Sequence, residues 1–199
     1  MKSNVCKIEN GVKDLDAILR ESEKVAIYNE LTHKQALQLR LICEEIDGML
    51  PNIIDSFNGD LWIEFENGVC KVNISLCFDK FTAEKKNDLI SIAKNKKNAA
   101  AVGIVGKIRS ILENVFLDED NFAVTPLSTE TRYMLGEYCD PCEYPCIWSL
   151  DNYRNTVNDK KTSAEWDELE KSVIATVADD VIIGVKGKRA EIVIIKKFA

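Results

Sequence analysis

The strongest constraint on the fold is a hairpin signal in the first half of the chain. The dipeptide Asn67-Gly68 separates two runs with strand-like apolar residues, Asp60–Glu66 and Val69–Cys77. Asparagine and glycine both tolerate a positive φ, which the tight turn of a two-residue hairpin requires. The sequence therefore predicts a pair of neighbouring strands joined at this turn.

A second hairpin is predicted where the sequence ends. The runs Asp180–Lys186 and Arg189–Lys196 flank a turn at Gly187, and the return strand is apolar enough to lie centrally in a sheet. A short strand over residues 3–9 is expected to join the same sheet. Two hairpins and one further strand supply the β layer of the predicted fold.

Helical patterns supply the second layer. A helix is predicted over Val12–Asn29, and Thr32 with Gln35 has the spacing of a capping box. Behind that box, apolar residues recur at helical spacing: Leu39, Ile42, Cys43, Ile46, Met49, Leu50 and Ile53. Three further helical stretches are Thr82–Ala93, Asn98–Leu117 and Ser163–Val177. Together these elements predict an α+β two-layer sandwich, whose mixed sheet is covered on one face by helices.

Length and periodicity bear on domain organisation. A chain of 199 residues fits a single domain spanning residues 1–199. Residues 118–160 lack periodicity and hold three of the four prolines. We expect this segment to be an irregular, cysteine-containing insertion.

Charge and hydropathy exclude several classes of partner. The net charge of −7 argues against nucleic acid as the main partner. No apolar run reaches the roughly 18 residues that span a bilayer, and no secretory signal is present, so we expect a cytoplasmic protein without a membrane partner. Residues 80–109 are mostly basic and residues 113–151 mostly acidic. These segments are either solvated faces that neutralise each other or surfaces that meet phosphates or a basic partner.

The seven cysteines fall into two groups. Cys139, Cys142 and Cys146 lie close together in sequence, and a Cys-x-x-Cys spacing can bind zinc, although a closed structural site usually has four ligands. The alternatives are a metal or redox module and a proline-stiffened loop of reduced thiols. The other four cysteines lie within apolar patterns, where a free thiol acts as a small hydrophobic group: Cys6, Cys43, Cys70 and Cys77.

The order of elements resembles the GHKL ATPase superfamily of histidine kinases, gyrases and anti-sigma-factor kinases, and is most similar to its small anti-sigma-factor members. The stretch Leu39–Met49 resembles the first nucleotide-binding helix of that family. The resemblance implies that Glu45 is the general base or water-positioning residue. The position of the family's Mg²⁺-binding asparagine is Met49, and a thioether is a poor ligand for Mg²⁺.

The resemblance also implies a nucleotide pocket. Asp79 corresponds to the family's adenine-reading aspartate, although Lys80-Phe81-Thr82 replaces the expected glycines. Gly103, Gly106 and Lys107 weakly match the phosphate-binding turn, and close helix packing is the other interpretation of these glycines. Asn52 lies two turns from Glu45 and could hold Mg²⁺ in place of the missing asparagine.

These observations leave three hypotheses about function. The first is a non-catalytic, ATPase-like regulatory or protein-interaction domain with a protein partner, as a monomer or a homodimer. The second is a working ATP- and Mg²⁺-binding protein of the anti-sigma-factor-kinase kind. The third is a metal or redox module built on Cys139, Cys142 and Cys146. The degraded Mg²⁺ and glycine motifs favour the first.

Overall fold

A computed structural model describes residues 1–9, 15–54, 56–78, 106, 108–109, 112, 146–158, 172–186 and 189–198. The strands are β1 (Cys6–Glu9), β2 (Phe57–Glu66), β3 (Val69–Phe78), β4 (Cys146–Ser149), β5 (Asp180–Lys186) and β6 (Arg189–Lys197). The helices with defined bounds are α1 (Leu15–Tyr28), α2 (His33–Ile53), α3 (Leu150–Asn158) and α4 (Val173–Val177).

The strands form one six-stranded sheet in the order β1-β2-β3-β6-β5-β4. Every pairing between these strands is antiparallel, whereas the sequence predicts a mixed sheet. Helices and sheet together form the predicted α+β sandwich. Both predicted hairpins are present, and the first turns at Asn67 and Gly68, which have φ values of 51° and 78°. The apolar return strand β6 lies centrally, between β3 and β5.

Helix α2 begins at the predicted capping box. The Thr32 side chain accepts a hydrogen bond from the Gln35 backbone, and the Gln35 side chain accepts one from the Thr32 backbone at 2.9 Å. The helix continues through Pro51 to Ile53. Its predicted apolar positions are all buried, so the periodicity identified the core-facing side of α2: Leu39, Ile42, Cys43, Ile46, Met49, Leu50 and Ile53.

Residues 146–158, which the sequence assigns to an irregular insertion, form β4 and α3 instead. Strand β4 has only four residues and a bulge between Cys146 and Trp148, so it is too short and irregular for a period-two pattern to be visible. Leu150, the first residue of α3, is fully buried in the core. Residues 118–145 and 159–160 of the expected insertion lie outside the described residues.

Polar contacts fix α3 against the end of β5. The Asp180 carboxylate accepts hydrogen bonds from the Ser149 hydroxyl at 3.1 Å and from the Asp151 backbone N–H at 3.0 Å. Arg154 donates to the backbone carbonyls of Asp179, Ala175 and Ala178. Because these carbonyls lie where α4 ends and β5 begins, Arg154 also joins α3 to α4.

The two faces of the sheet differ. The first face carries alternate apolar residues from every long strand and packs in one core with α1, α2 and α4. On the second face, β1, β2 and β3 present mainly polar side chains, and we call this region the open half. In the same face of β5 and β6, Ile182 and Val193 are only 1% and 0% exposed, and we call this region the closed half.

Candidate functional site

Helix α2 carries the residues that the GHKL resemblance singles out. Glu45 is half-buried at the border between the buried and the exposed sides of the helix. It forms no hydrogen bond or ion pair with another described residue. At Gly48, less than one turn further on, an added Cβ would have no atom within 4 Å. Glu45 therefore borders open space on the outer side of α2.

Met49 is the residue at which the GHKL resemblance places a Mg²⁺-binding asparagine. Its side chain is 4% exposed and belongs to the hydrophobic core, in phase with Ile46 and Ile53. A thioether enclosed by aliphatic side chains provides no oxygen ligand for Mg²⁺. This position therefore serves packing.

The described part of the chain does not show the remaining predicted nucleotide-binding residues together. Asp79, Gly103 and Lys107 lie outside the described residues, and Asn52 lies in α2 with an undescribed side chain. Gly106 is buried in helical backbone, and the neighbouring positions Ile108 and Leu112 are fully buried in the core. The phosphate-binding turn predicted at Gly103, Gly106 and Lys107 therefore stays a prediction.

The cysteine hypothesis also rests mainly on undescribed positions. Cys139 and Cys142 lie outside the described residues, and Cys146 is placed in β4 without a described side chain. Elsewhere in the described chain, no three metal-binding side chains of His, Cys, Asp or Glu lie together.

The four cysteines expected in apolar surroundings differ in burial. Cys6, Cys43 and Cys70 are buried and form no disulfide with one another, as the apolar patterns predict. Burial raises the pKa of Cys70 to about 12 and raises that of Cys43 further. Both thiols are therefore protonated at neutral pH and unreactive. Cys77 is only half-buried, because its position in β3 places it on the polar second face.

A cavity that the sequence does not predict lies over the open half and the adjacent first residue of β6. Its volume is about 300 Å³, and it is lined by Lys7, Ile8, Glu9, Asn58, Gly59, Asp60, Ser75, Leu76, Cys77 and Arg189. Strand pairing aligns its polar side chains in two rows across the sheet. One row is Glu9, Asn58, Cys77 and Arg189, and the other begins with Lys7, Asp60 and Ser75.

Gly59 allows the strands beneath the cavity to approach closely. A Cβ at this position would collide with the Ser75 backbone oxygen and would lie 3.1 Å from the Leu76 side chain. Any larger residue at position 59 would therefore push β2 away from β3.

The charges around the cavity are only partly neutralised. Lys7 Nζ lies 2.6 Å from Asp60 Oδ1. Glu9 and Arg189 are exposed, and neither forms an ion pair or a hydrogen bond with another described residue. Among the described residues, one carboxylate and one guanidinium without an ionic partner thus lie at the two ends of the first row.

Sequence reasoning missed this site because its residues come from four strands. The available signal was the alternation of Asn58 with Asp60 in β2 and of Ser75 with Cys77 in β3, which marks a polar strand face. That alternation does not reveal which residues of β1 and β6 lie beside them. The strand order and register supply this information.

Comparisons with known proteins identify no relative. No protein-family model, curated protein or solved structure matches the chain. None of the described helices is both long enough and apolar enough to cross a membrane.

Proposed function

We propose that the chain is a non-catalytic regulatory domain, arranged like a small GHKL ATPase, that acts by binding another protein. The observation that carries this proposal is the burial of Met49 within the core. The GHKL mechanism needs an oxygen ligand for Mg²⁺ one turn after the catalytic glutamate. In this chain that position is Met49, whose side chain is part of the hydrophobic core. Among the described residues, no cluster of metal-binding side chains lies beside Glu45.

The surface of α1 and α2 supports a role in protein binding. Four large apolar side chains are exposed there: Ile27 by 79%, Tyr28 by 73%, Leu37 by 51% and Leu41 by 37%. Apolar and aromatic groups of this kind are typical of the centres of protein interfaces.

Helix packing is expected to place three of these apolar residues, Ile27, Leu37 and Leu41, along one ridge. The four-residue connection reverses the chain between α1 and α2, and Arg40 lies 3.3 Å from Glu23 across the pair. One turn beyond this ion pair towards the connection, Ile27 on α1 lies beside the Leu37 region of α2. Leu41 follows Leu37 on the outer face of α2. We propose this ridge as the contact surface and the cytoplasm, where free thiols persist, as the location.

Thermal unfolding with millimolar Mg-ATP and Mg-ADP tests the non-catalytic part of the proposal. A nucleotide at about 100 times its dissociation constant adds about 2.7 kcal/mol of stability, or several degrees in Tm. We expect no shift with either nucleotide. A Mg²⁺-dependent shift that Glu45→Gln abolishes would contradict the proposal.

Site-specific photo-crosslinking in cells tests the protein-binding part. A photoreactive residue replacing Leu41 should give one adduct of fixed mass, and Leu37→Ser should reduce its yield. The same residue replacing Glu66, which is exposed in the β2–β3 hairpin, should give no such adduct. Equal adducts from both positions, or none from position 41, would argue against this contact surface.

One observation favours the ATP-binding alternative. Glu45 has no partner among the described residues, and the space beside Gly48 is open. In that alternative the nucleotide lies along the outer side of α2, with Asp79, Gly103 and Lys107 completing the pocket. The Mg-ATP experiment separates the two proposals directly.

A further inference from the structure

We propose that the cavity over the open half binds a zwitterion the size of a dipeptide. In this proposal Arg189 holds the ligand's carboxylate and Glu9 holds its ammonium group. The site lies on the opposite face of the sheet from α2, so the proposal is independent of the function proposed above. It concerns a small-molecule site that the GHKL resemblance does not include.

The charges that line the cavity favour a ligand that carries both a positive and a negative group. Lys7 and Asp60 neutralise each other at 2.6 Å, whereas the exposed Glu9 and Arg189 have no ionic partner among the described residues. A ligand with a single charge would be attracted at one end and repelled at the other. A ligand with both charges satisfies both ends, and a guanidinium can bind a carboxylate through two parallel hydrogen bonds.

Glu9 and Arg189 lie at the two ends of one row across the sheet. Glu9 pairs with Asn58, Asn58 with Cys77 and Cys77 with Arg189. Three strand spacings therefore separate Glu9 from Arg189, which is about 14 Å between Cα atoms. Because side chains stand roughly perpendicular to a sheet, their charged ends are separated by a similar distance.

This distance selects the length of the ligand. Two extended residues span about 7 Å, and a hydrogen bond of about 3 Å at each end extends the reach to about 13 Å. A free amino acid is too short to contact both Glu9 and Arg189. A cavity of about 300 Å³ is at the small end of the range for ligand pockets, which also favours a short molecule.

The floor between the charged ends suits a peptide backbone. Asn58 lies next to Glu9 in the row, and its side-chain amide can donate to and accept from a peptide group. Gly59 keeps β2 and β3 close together beneath the cavity. The specificity expected from these contacts is for main-chain groups and not for particular side chains.

Isothermal titration calorimetry of the full chain with Ala-Ala tests the proposal. We expect Ala-Ala to bind, and free alanine, N-acetyl-Ala-Ala and Ala-Ala-amide each to bind at least tenfold more weakly. These comparison ligands lack, in turn, the length, the ammonium group and the carboxylate.

Two charge-removing variants locate the site. Arg189→Gln and Glu9→Gln should each weaken Ala-Ala binding at least tenfold. Arg189→Gln should also abolish the preference for Ala-Ala over Ala-Ala-amide, and Glu9→Gln the preference over N-acetyl-Ala-Ala. The matched controls Lys197→Gln and Glu66→Gln change exposed charges at the other ends of the strands and should leave binding unchanged.

Three results would overturn the proposal. These are the absence of Ala-Ala binding by the wild-type chain, equal binding of free alanine, and unchanged affinity in both Arg189→Gln and Glu9→Gln. All four substituted positions are exposed, so each variant should unfold at the wild-type temperature, and circular dichroism verifies this before titration.

Discussion

The two halves of the second sheet face lie side by side in one antiparallel sheet and have opposite characters. One row of neighbours runs from the half-buried Trp62 through Asn73 to Val193 and Ile182. Within this row the buried side chains change from an amide at Asn73, which is 3% exposed, to aliphatic groups at Val193 and Ile182, which are 0% and 1% exposed. The open half therefore offers polar groups to a ligand, and the closed half provides stability.

This difference follows from the sequences of the strands. In β2 and β3, apolar residues that face the helices alternate with Asp60, Glu64, Lys71 and Ser75. In β5 and β6, consecutive residues are apolar, as a strand buried on both faces requires. A single sheet thus combines a strand pair suited to binding with one suited to packing.

The largest expected effect tests the closed half with a matched pair of substitutions. Val193→Asn removes a buried aliphatic side chain and buries an amide, which should lower the free energy of unfolding by about 3 kcal/mol. Val69→Asn makes the same change on the same face of β3, where Val69 is half-buried, and should cost less than about 1 kcal/mol. Urea denaturation measures both. Similar losses would show that the two halves are equally buried.

A smaller effect is expected where the closed half meets β4. Asp180→Ala removes the acceptor for Ser149 and the Asp151 backbone, and should lower the free energy of unfolding by about 2 kcal/mol. The control Asp151→Ala affects a carboxylate at the first turn of α3 and should cost about 0.5 kcal/mol or less. Equal losses in the two variants would mean that the Asp180 contacts do not fix α3.

The smallest effect concerns Glu21, whose polar contacts join α1 to Asn4 in the segment before β1. A hydrogen bond from Lys24 lowers the pKa of Glu21 despite the opposing effect of burial, and two hydrogen bonds from Asn4 lower it further. Because the folded-state pKa lies below the unfolded value, Glu21 stabilises the fold above that unfolded value. This contribution is lost as the pH falls through the folded pKa.

Urea denaturation of Glu21→Gln at several pH values tests this connection. We expect a loss of about 1 kcal/mol at pH 7 and a smaller difference from wild type as the pH is lowered towards 3. The control Glu23→Gln, an exposed residue, should follow the wild-type pH curve. A difference between Glu21→Gln and wild type that is constant with pH would contradict the electrostatic explanation.

The fold was largely predictable because its signals are local. Asn67-Gly68 specifies a turn, Thr32 and Gln35 specify a helix start, and the periodicity from Leu39 to Ile53 identifies one buried helix side. Strand β4 was not predictable, because its four residues gain their structure from pairing with β5. The pairing directions also depend on long-range contacts, so the antiparallel sheet was mistaken for a mixed one.

The candidate sites were likewise predictable only where their signals are local in the sequence. The burial of Met49 was predictable from its phase with Ile46 and Ile53, because helical spacing is a local property. The cavity was not predictable, since Glu9 and Arg189 come to lie at the two ends of one row only through the register of four strands.

The central position of β6 has a kinetic consequence. Strand β3 is followed in the sheet by β6, and about a hundred residues of chain separate these two neighbours. The hairpins β2–β3 and β5–β6 can each form quickly, whereas joining them must close that long loop. Until the loop closes, two apolar strand edges remain unpaired and can pair with other chains. We therefore expect the pairing of β3 with β6 to be the slow step in forming the sheet, and the chain to be most prone to aggregation before that step.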